Sequence, residues 1–171
     1  MSPSAWSAMP ADAVIHDPVL AHEVVALLDV APGMTVVDGT FGAGGHAAML
    51  AEQMGGRGAY VAVDRDPSVE SRARSFRAGR PDMAVRLLQR DFVDAFRSLA
   101  VEGVLADAIL LDLGVSSMQI DQPERGFSYA VDAPLDMRMD PRGGATAADL
   151  LADLSERELA DLFSRYGEER Y

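Results

Sequence analysis

The sequence predicts an α/β fold built on a sheet of parallel strands. Short apolar runs alternate four times with longer segments of helical character, which is the pattern of consecutive strand–helix units. Three of the four apolar runs end directly at an aspartate, and the first is followed by a glycine-rich turn. Because a parallel sheet brings the carboxyl ends of its strands to one edge, we expect these polar groups to meet there.

Length and composition limit the possible classes of protein. The chain has 171 residues, of which 49% are hydrophobic and 25% charged, which suits one folded domain with its own core. No run reaches the roughly 18 apolar residues of a membrane span. Residues 1–10 lack the basic and apolar regions of a secretory signal. We therefore expect a cytoplasmic protein that does not enter the membrane.

Charge and the absence of cysteine exclude further classes. Without cysteine, this chain has no disulfide, no zinc–thiolate site and no cysteine nucleophile, and no metal site is predicted. The 27 acidic and 15 basic residues give a net charge of −12. This charge argues against coating nucleic acid by bulk attraction but allows an enzyme with a local basic patch. An arginine-rich helix over 68–78 is most simply a solvated face.

The first half of the chain predicts a helix and then a strand–helix–strand unit. Residues 1–13 have the composition of a disordered leader, and Asp17-Pro18 predicts the start of a helix whose apolar face continues to Leu28. The next elements are a strand over 34–37 ending at Asp38, a glycine-rich turn over 39–45, a helix over 46–54 and a strand over 59–63 ending at Asp64. Both strands are short and rich in valine, as buried parallel strands are.

The pattern then repeats. Asp66-Pro67 predicts a capped helix that runs to Ala78, with Gly79 as its C′ residue. The following elements are a strand over 83–88, a helix over 91–100 and a strand over 106–111 that ends at Asp112. This second set of alternating elements completes four predicted parallel strands.

After the fourth strand the composition changes. Residues 114–144 are rich in Gly, Pro, Asp and Ser, and this stretch is too long for an ordinary connection between elements. Loops of this length are usually functional or disordered. Capping boxes that begin at Thr146 and Ser155 predict two short helices, the second ending at Tyr166-Gly167.

The ends of the first two strands suit a cofactor that contains a nucleoside. The loop Asp38-Gly-Thr-Phe-Gly-Ala-Gly-Gly-His46 follows a strand and opens a helix, so a ligand can approach bare backbone. Asp64 stands twenty residues beyond Gly44, where a carboxylate can accept hydrogen bonds from ribose hydroxyls. Asp38 at the first turn disfavours a pyrophosphate and favours a cationic group, such as the ammonium or sulfonium of S-adenosylmethionine. The charge pattern therefore favours a methyltransferase over a dehydrogenase.

Each of these side chains has a simpler structural alternative. Asp38 can cap the helix, and Asp64 can be a solvated strand end. Phe92 can belong to the core or, at the end of the third strand, can stack on an adenine. His46 lies at the start of a helix, where capping or packing is as reasonable as contact with a ligand.

A longer motif makes the prediction specific. Residues 112–129 read Asp-Leu-Gly-Val-Ser-Ser-Met-Gln-Ile-Asp-Gln-Pro-Glu-Arg-Gly-Phe-Ser-Tyr, and residues 134–140 read Pro-Leu-Asp-Met-Arg-Met-Asp. This segment resembles the bacterial 16S ribosomal RNA (cytosine-N4)-methyltransferases, the RsmH/MraW family. The motifs similar to the same family elsewhere are 38–46, Asp64-Arg-Asp-Pro, His16-x-Pro-Val-Leu and Tyr166-Gly-Glu-Glu-Arg. The resemblance covers residues 16–171, almost the whole chain.

The resemblance implies a class I, Rossmann-like methyltransferase sheet that binds S-adenosylmethionine. Residues 14–144 would hold its first four parallel strands, and residues 145–171 the start of a helical insert domain. The implied cofactor contacts are Gly44, Gly45 and His46 in the loop, Asp64 at the ribose, Phe92 beside the adenine, and Asp112 and Gln119 after the fourth strand. Met118 and Ala133 stand where the family more often has proline and glycine.

The resemblance also implies a substrate and partners. The activity would be methylation of the exocyclic N4 of a cytidine in 16S ribosomal RNA, either free or in the small ribosomal subunit. Family members are much longer than this chain. We therefore expect a truncated form that is inactive by itself and that self-associates through the open edge of its fourth strand.

Neither the residues nor the resemblance assigns a catalytic group. An acceptor for the amino hydrogens of cytosine could be Asp112 or Ser116, with Asp136 as a weaker candidate. The candidates for RNA phosphate contact, or equally for structural pairing with nearby acids, are Arg125, Arg138 and Arg142. Two alternatives stay open: a nicotinamide-dependent dehydrogenase that uses the same glycine loop, and a non-catalytic module that binds a cofactor.

Overall fold

Four strands form one parallel sheet in the computed structural model, which describes residues 18–169. The strands are β1 (Thr35–Asp38), β2 (Gly58–Asp64), β3 (Met83–Gln89) and β4 (Ala108–Leu110). Their order is β3-β2-β1-β4. The chain adds β2 and β3 on one side of β1 and then returns to place β4 on the other side, so the point of reversal lies between β1 and β4. In sheets of this kind a ligand crevice opens at the reversal point, outside the carboxyl ends of the strands.

Seven helices accompany the strands within the described residues. They are α1 (Ala21–Leu28), α2 (Gly45–Gln53), α3 (Glu70–Ala78), α4 (Phe92–Val101), α5 (Ser117–Ile120), α6 (Ala147–Asp153) and α7 (Glu156–Tyr166). The predicted strands, and the helices α2, α4, α6 and α7, are confirmed in type and to within about two residues at their ends. None of these helices is long and apolar enough to span a membrane.

The start of the first helix was predicted wrongly. α1 begins at Ala21, after Leu20 adopts a left-handed φ of 51°, rather than at Pro18. The ring of Pro18 lies against the glycine loop, where a Cβ on Gly45 would meet it at 3.1 Å. The proline is therefore used in packing rather than as the first helical residue. The predicted leader over 1–13 and the cap at Asp17 lie outside the described residues.

Two smaller differences concern α3. Asp66 accepts a hydrogen bond from the backbone N–H of Ser68 at 2.9 Å, as predicted for a cap, but a 3-10 turn (Pro67–Val69) precedes the α-helix. Gly79 ends the helix with a φ of −76°. This right-handed conformation is open to any residue, so Gly79 is not the left-handed C′ glycine that the sequence indicated.

The sheet buries an apolar layer on each face, because successive side chains of a strand point to opposite sides. The layer against α2 and α3 includes Val36, Leu50, Tyr60, Phe76 and Val85. The layer against α4 includes Val37, Val61, Val63, Ala95 and Leu99. These two layers hold the central strands rigidly and so fix the loops that leave their carboxyl ends.

β4 forms an open edge of the sheet. It pairs with β1, where Ile109 lies in register with Val37 on the α4 face. α4 packs on β2 at that face, and Ile109 is 53% exposed. The open edge predicted from the sequence is therefore present in the described part of the chain. Self-association through it stays a prediction.

The long stretch after β4 is ordered by its own contacts. It contains α5 and a second 3-10 turn (Pro123–Arg125). Gly126 has a φ of 74°, and a Cβ there would lie 2.8 Å from the backbone nitrogen of Asp136. Glycine thus lets the two arms of the loop approach, and the N–H of Met137 donates to the carbonyl of Arg125 at 3.0 Å. The structure decides against the disordered alternative for this segment.

Candidate functional site

A cleft of about 540 Å³ opens at the carboxyl ends of the strands. Its walls come from the loops after β1, β2 and β4 and from the start of α4. Of the residues predicted to bind a cofactor, those on its walls are Gly45, His46, Asp64, Phe92, Asp112 and Gln119. Gly44 directly precedes the wall residue Gly45. The structure therefore brings the predicted set to one place, and its contact with a cofactor stays a prediction.

The glycine loop shapes the floor of the cleft. Gly44 caps α2 in the left-handed region, at φ 82°, and contributes no side chain to the first turn. A Cβ at Gly44 would lie 3.0 Å from the ring of Phe41, whose own N–H donates to the carbonyl of Val63 at 3.0 Å. The first N–H groups of α2 are consequently free of a side-chain cap. Such a helix start attracts an anionic group.

Asp64 joins the glycine loop to the turn after β2. Its Oδ2 accepts from the N–H of Gly42 at 2.8 Å, and its Oδ1 accepts from the N–H of Asp66 at 2.9 Å. Burial raises the pKa of this carboxyl, and backbone N–H donors, chiefly those of Asp66 and Gly42, oppose that rise. A carboxylate has about four acceptor positions, so it can still accept from a ligand hydroxyl. The sequence predicted Asp64 at the cleft but not its second role in holding the loop.

His46 and Asp112 form another part of the wall. Nε2 of His46 lies 3.1 Å from the carbonyl oxygen of Val19, and Nδ1 lies 3.7 Å from Oδ2 of Asp112. Because a carbonyl can only accept, Nε2 carries a hydrogen. The N–H of Asp112 donates to Oγ1 of Thr40 at 2.7 Å. Thr40, which sequence reasoning missed, thus ties the loop after β1 to the loop after β4.

Asp38 does not face the cleft, contrary to the expectation that it sits beside a cationic group. Its side chain is 1% exposed and accepts from the N–H of Thr40 at 3.0 Å and from the hydroxyl of Tyr60 at 2.8 Å. An aspartate at a turn commonly bonds the backbone two residues on. The aspartates on the cleft wall are instead Asp64, Asp66, Asp91 and Asp112.

The burial of Asp38 makes stability depend on pH. Burial, aided by the nearby charges of Asp64 and Asp112, raises its pKa from 3.8 to about 7 against the two hydrogen bonds. The folded state therefore binds this proton more tightly than the unfolded state. The free energy of unfolding should fall as pH rises from about 4 to about 7, by up to about 4 kcal/mol from this group, and then level off.

Urea unfolding of the wild type and of Asp38→Asn between pH 4 and pH 8 measures this contribution. The variant lacks the titrating group, so the difference between the two curves should change across that window. Asp153→Asn, at an exposed position, is the control and should follow the wild type. Parallel curves for wild type and Asp38→Asn would contradict the assignment.

The three arginines proposed for RNA phosphates are each paired with an acid. Arg125 is 9% exposed, and its guanidinium donates to Oδ2 of Asp66 at 2.9 Å. Arg138 and Arg142 each pair with the aspartate two residues before it. The structural alternative is confirmed. Phosphate contact is wrong for Arg125, because its guanidinium lies inside the protein.

Gln119 borders the cleft, but its amide contacts protein groups. Oε1 accepts from the N–H of Ser116 at 3.0 Å, and Nε2 donates to Oδ2 of Asp66 at 2.7 Å. The residue is 5% exposed. Asp66, which the sequence indicated only as a helix cap, is therefore the shared acceptor of Gln119 and Arg125.

Comparison with known proteins shows which family this chain resembles. The profile of the MraW methylase family matches residues 13–171. Ribosomal RNA small subunit methyltransferase H of Thiobacillus denitrificans is 46% identical over 157 residues, which are 91% of this chain and 49% of that protein. The protein of the same name from Trichlorobacter lovleyi is 47% identical over 91% of this chain and 50% of its own length. That from Halorhodospira halophila is 45% identical over 93% and 49%.

The match covers most of this chain but only part of each relative. The chain spans about half the length of the curated relatives it matches. The family profile, by contrast, covers the described sheet, the cleft and the long loop after β4. The chain therefore belongs to the MraW methylase family.

Proposed function

We propose that this chain forms the cofactor-binding part of an S-adenosylmethionine-dependent methyltransferase that modifies the exocyclic N4 of a cytidine in 16S ribosomal RNA. One observation carries the proposal. A single cleft at the strand ends combines an uncapped helix start, a fixed carboxylate and an aromatic ring, in a chain of the MraW methylase family. Relatives named ribosomal RNA small subunit methyltransferase H support the class of substrate.

The walls of the cleft fit the different parts of S-adenosylmethionine. The start of α2 suits the carboxylate of the cofactor's methionine part, together with the loop residues Gly44, Gly45 and His46. Asp64 has lone pairs for ribose hydroxyls, and the half-buried ring of Phe92 suits an adenine face. Asp112, also on the wall, suits the ammonium or sulfonium group. Gln119 would act by holding this wall in place.

The same charges disfavour the dehydrogenase alternative. A dinucleotide brings a doubly charged pyrophosphate, which needs N–H donors or cations around it. The cleft wall instead carries Asp64, Asp91 and Asp112. The arginine on this wall, Arg65, stands 4.0 Å from the carboxylate of Asp91. These carboxylates would repel the pyrophosphate and attract a cationic cofactor.

The reaction requires positioning more than a strong base. The lone pair of cytosine N4 is delocalised into the ring, so an acceptor that holds the amino hydrogens improves its attack. S-adenosylmethionine supplies the methyl group on a positively charged sulfur. Asp136 is a poor acceptor, because both its oxygens bind Arg138, which lowers its pKa to about 2. Of the three candidate acceptors, Asp112 and Ser116 line the cleft.

Calorimetry with the purified 171-residue chain tests the cofactor. We expect S-adenosylmethionine to bind and NAD to give no heat of binding at the same concentrations, because of the acidic wall. Binding of NAD without binding of S-adenosylmethionine would favour the dehydrogenase. Methyl transfer to small ribosomal subunits and to free 16S RNA is the second measurement. The chain should bind cofactor without turnover, since it spans about half the length of its relatives. Full turnover would refute the expectation that this chain is inactive by itself.

A further inference from the structure

A buried acid on the wall of the cleft, Asp66, has no part in the cofactor contacts proposed above. The side chain of Asp66 is 2% exposed. Its Oδ1 accepts from the N–H of Ser68, and its Oδ2 accepts from Nε2 of Gln119 at 2.7 Å and from the guanidinium of Arg125 at 2.9 Å. A buried carboxylate with this many donors is held in one orientation. Two of its three partners come from the long loop, over fifty residues away in sequence.

Arg125 binds the loop to itself as well as to Asp66. The same terminal nitrogen lies 3.0 Å from the carbonyl oxygen of Arg138 and 2.9 Å from that of Met139. Met139 lies on the cleft wall, as do the first residues of the loop after β4. One guanidinium thus connects the turn after β2 with both arms of residues 114–144.

The contacts continue from Asp66 to the floor of the cleft. The backbone N–H of Asp66 donates to Oδ1 of Asp64, and Oδ2 of Asp64 accepts from the N–H of Gly42 in the glycine loop. The polar chain therefore runs from Arg125 through Asp66 and Asp64 to Gly42. A shift of the long loop would move the turn that orients Asp64.

We propose that Arg125 is a positioning residue that fastens residues 114–144 to the cofactor cleft, so that cofactor binding and the order of this loop favour each other. The inference rests on the proposed function, because it takes S-adenosylmethionine as the ligand at Asp64. Coupling of this kind is reciprocal: if the fastened loop improves affinity, the bound cofactor must stabilise the loop by the same factor. A salt bridge that only stabilised the fold would show no such reciprocity.

Calorimetry and backbone hydrogen exchange on the full 171-residue chain test the proposal. In the wild type, S-adenosylmethionine should slow exchange across residues 114–144. Arg125→Ala should weaken cofactor affinity about tenfold or more, speed exchange in the loop without cofactor and lose the slowing with it. Arg125→Lys keeps the charge and should recover part of the affinity. Arg142→Ala removes an exposed arginine that pairs with Asp140 in the same loop and should leave affinity unchanged.

The outcomes separate this proposal from the proposed function. Wild-type affinity in a folded Arg125→Ala variant, or loop exchange that the cofactor does not alter in the wild type, would overturn the coupling. If Arg125→Ala does not fold, the wild-type exchange measurement and Arg125→Lys still decide. If the wild type binds no S-adenosylmethionine, the proposed function fails. Exchange without cofactor then tests the fastening alone, and equal loop exchange in wild type and a folded Arg125→Ala variant would overturn it.

Discussion

Replacing Asp66 with alanine is expected to lower the free energy of unfolding by about 3–5 kcal/mol, because it leaves the buried guanidinium of Arg125 without its counter-charge. The side chain of Arg125 is only 10% exposed in this pair, so water cannot replace the carboxylate. Gln119 loses an acceptor in the same step. Such a loss is a large part of the roughly 5–15 kcal/mol that stabilises an ordinary domain. Equilibrium unfolding in urea measures it.

A second aspartate–arginine pair provides the matched control. Asp140 pairs with Arg142 at 2.7 Å, but the side chain of that arginine is 57% exposed. Exposed pairs contribute about 0–1 kcal/mol. Asp140→Ala should therefore shift the urea midpoint little. Equal shifts for Asp66→Ala and Asp140→Ala would show that burial of the Asp66 pair does not matter.

Replacing Asp64 with alanine is expected to weaken S-adenosylmethionine binding by about one to two orders of magnitude. The change removes a charged acceptor from the cleft and leaves the N–H groups of Gly42 and Asp66 without their partner. Hydrogen bonds to charged groups contribute about 1.5–3 kcal/mol, and each 1.4 kcal/mol is about tenfold in affinity. Isothermal calorimetry gives the dissociation constant directly.

The control for this variant is an acid outside the cleft. Asp82 is exposed and precedes β3, at the amino end of the strands. Asp82→Ala should bind the cofactor as the wild type does. Thermal unfolding without ligand shows whether Asp64→Ala is folded at the temperature of the titration. Unchanged affinity in a folded Asp64→Ala would remove Asp64 from the proposed site.

The position of the cleft could be predicted because it depends on local signals. The apolar runs and the glycine-rich turn after Asp38 indicate where strands stop, and parallel strands present those stops at one edge. Asp64 ends β2 and Phe92 opens the helix that follows β3 closely, so the register of the sheet places them at the cleft with no further information. The helix boundaries were less secure at Pro18, where packing against Gly45 overrides the preference of proline for a first turn.

The direction of individual side chains could not be predicted in the same way. Asp38 and Asp64 both end a strand, yet one lies beneath the loop against Tyr60 and the other lines the cleft. The difference arises because Tyr60 on the neighbouring strand offers a buried hydroxyl at the first position. The spacing of residues along the sequence does not show which side chain of the adjacent strand lies beside a strand end.

The sequence by itself determined the α/β class, the strand ends, the capping boxes and the family resemblance, because each is written in residues close together along the chain. Only the tertiary structure decided the role of Arg125. The sequence offered it as an RNA contact or a structural partner, and its acceptor Asp66 lies 59 residues away. A buried charge takes its partner from whatever the packed fold brings within reach. That partner is a property of the assembled core and loop, which local sequence does not encode.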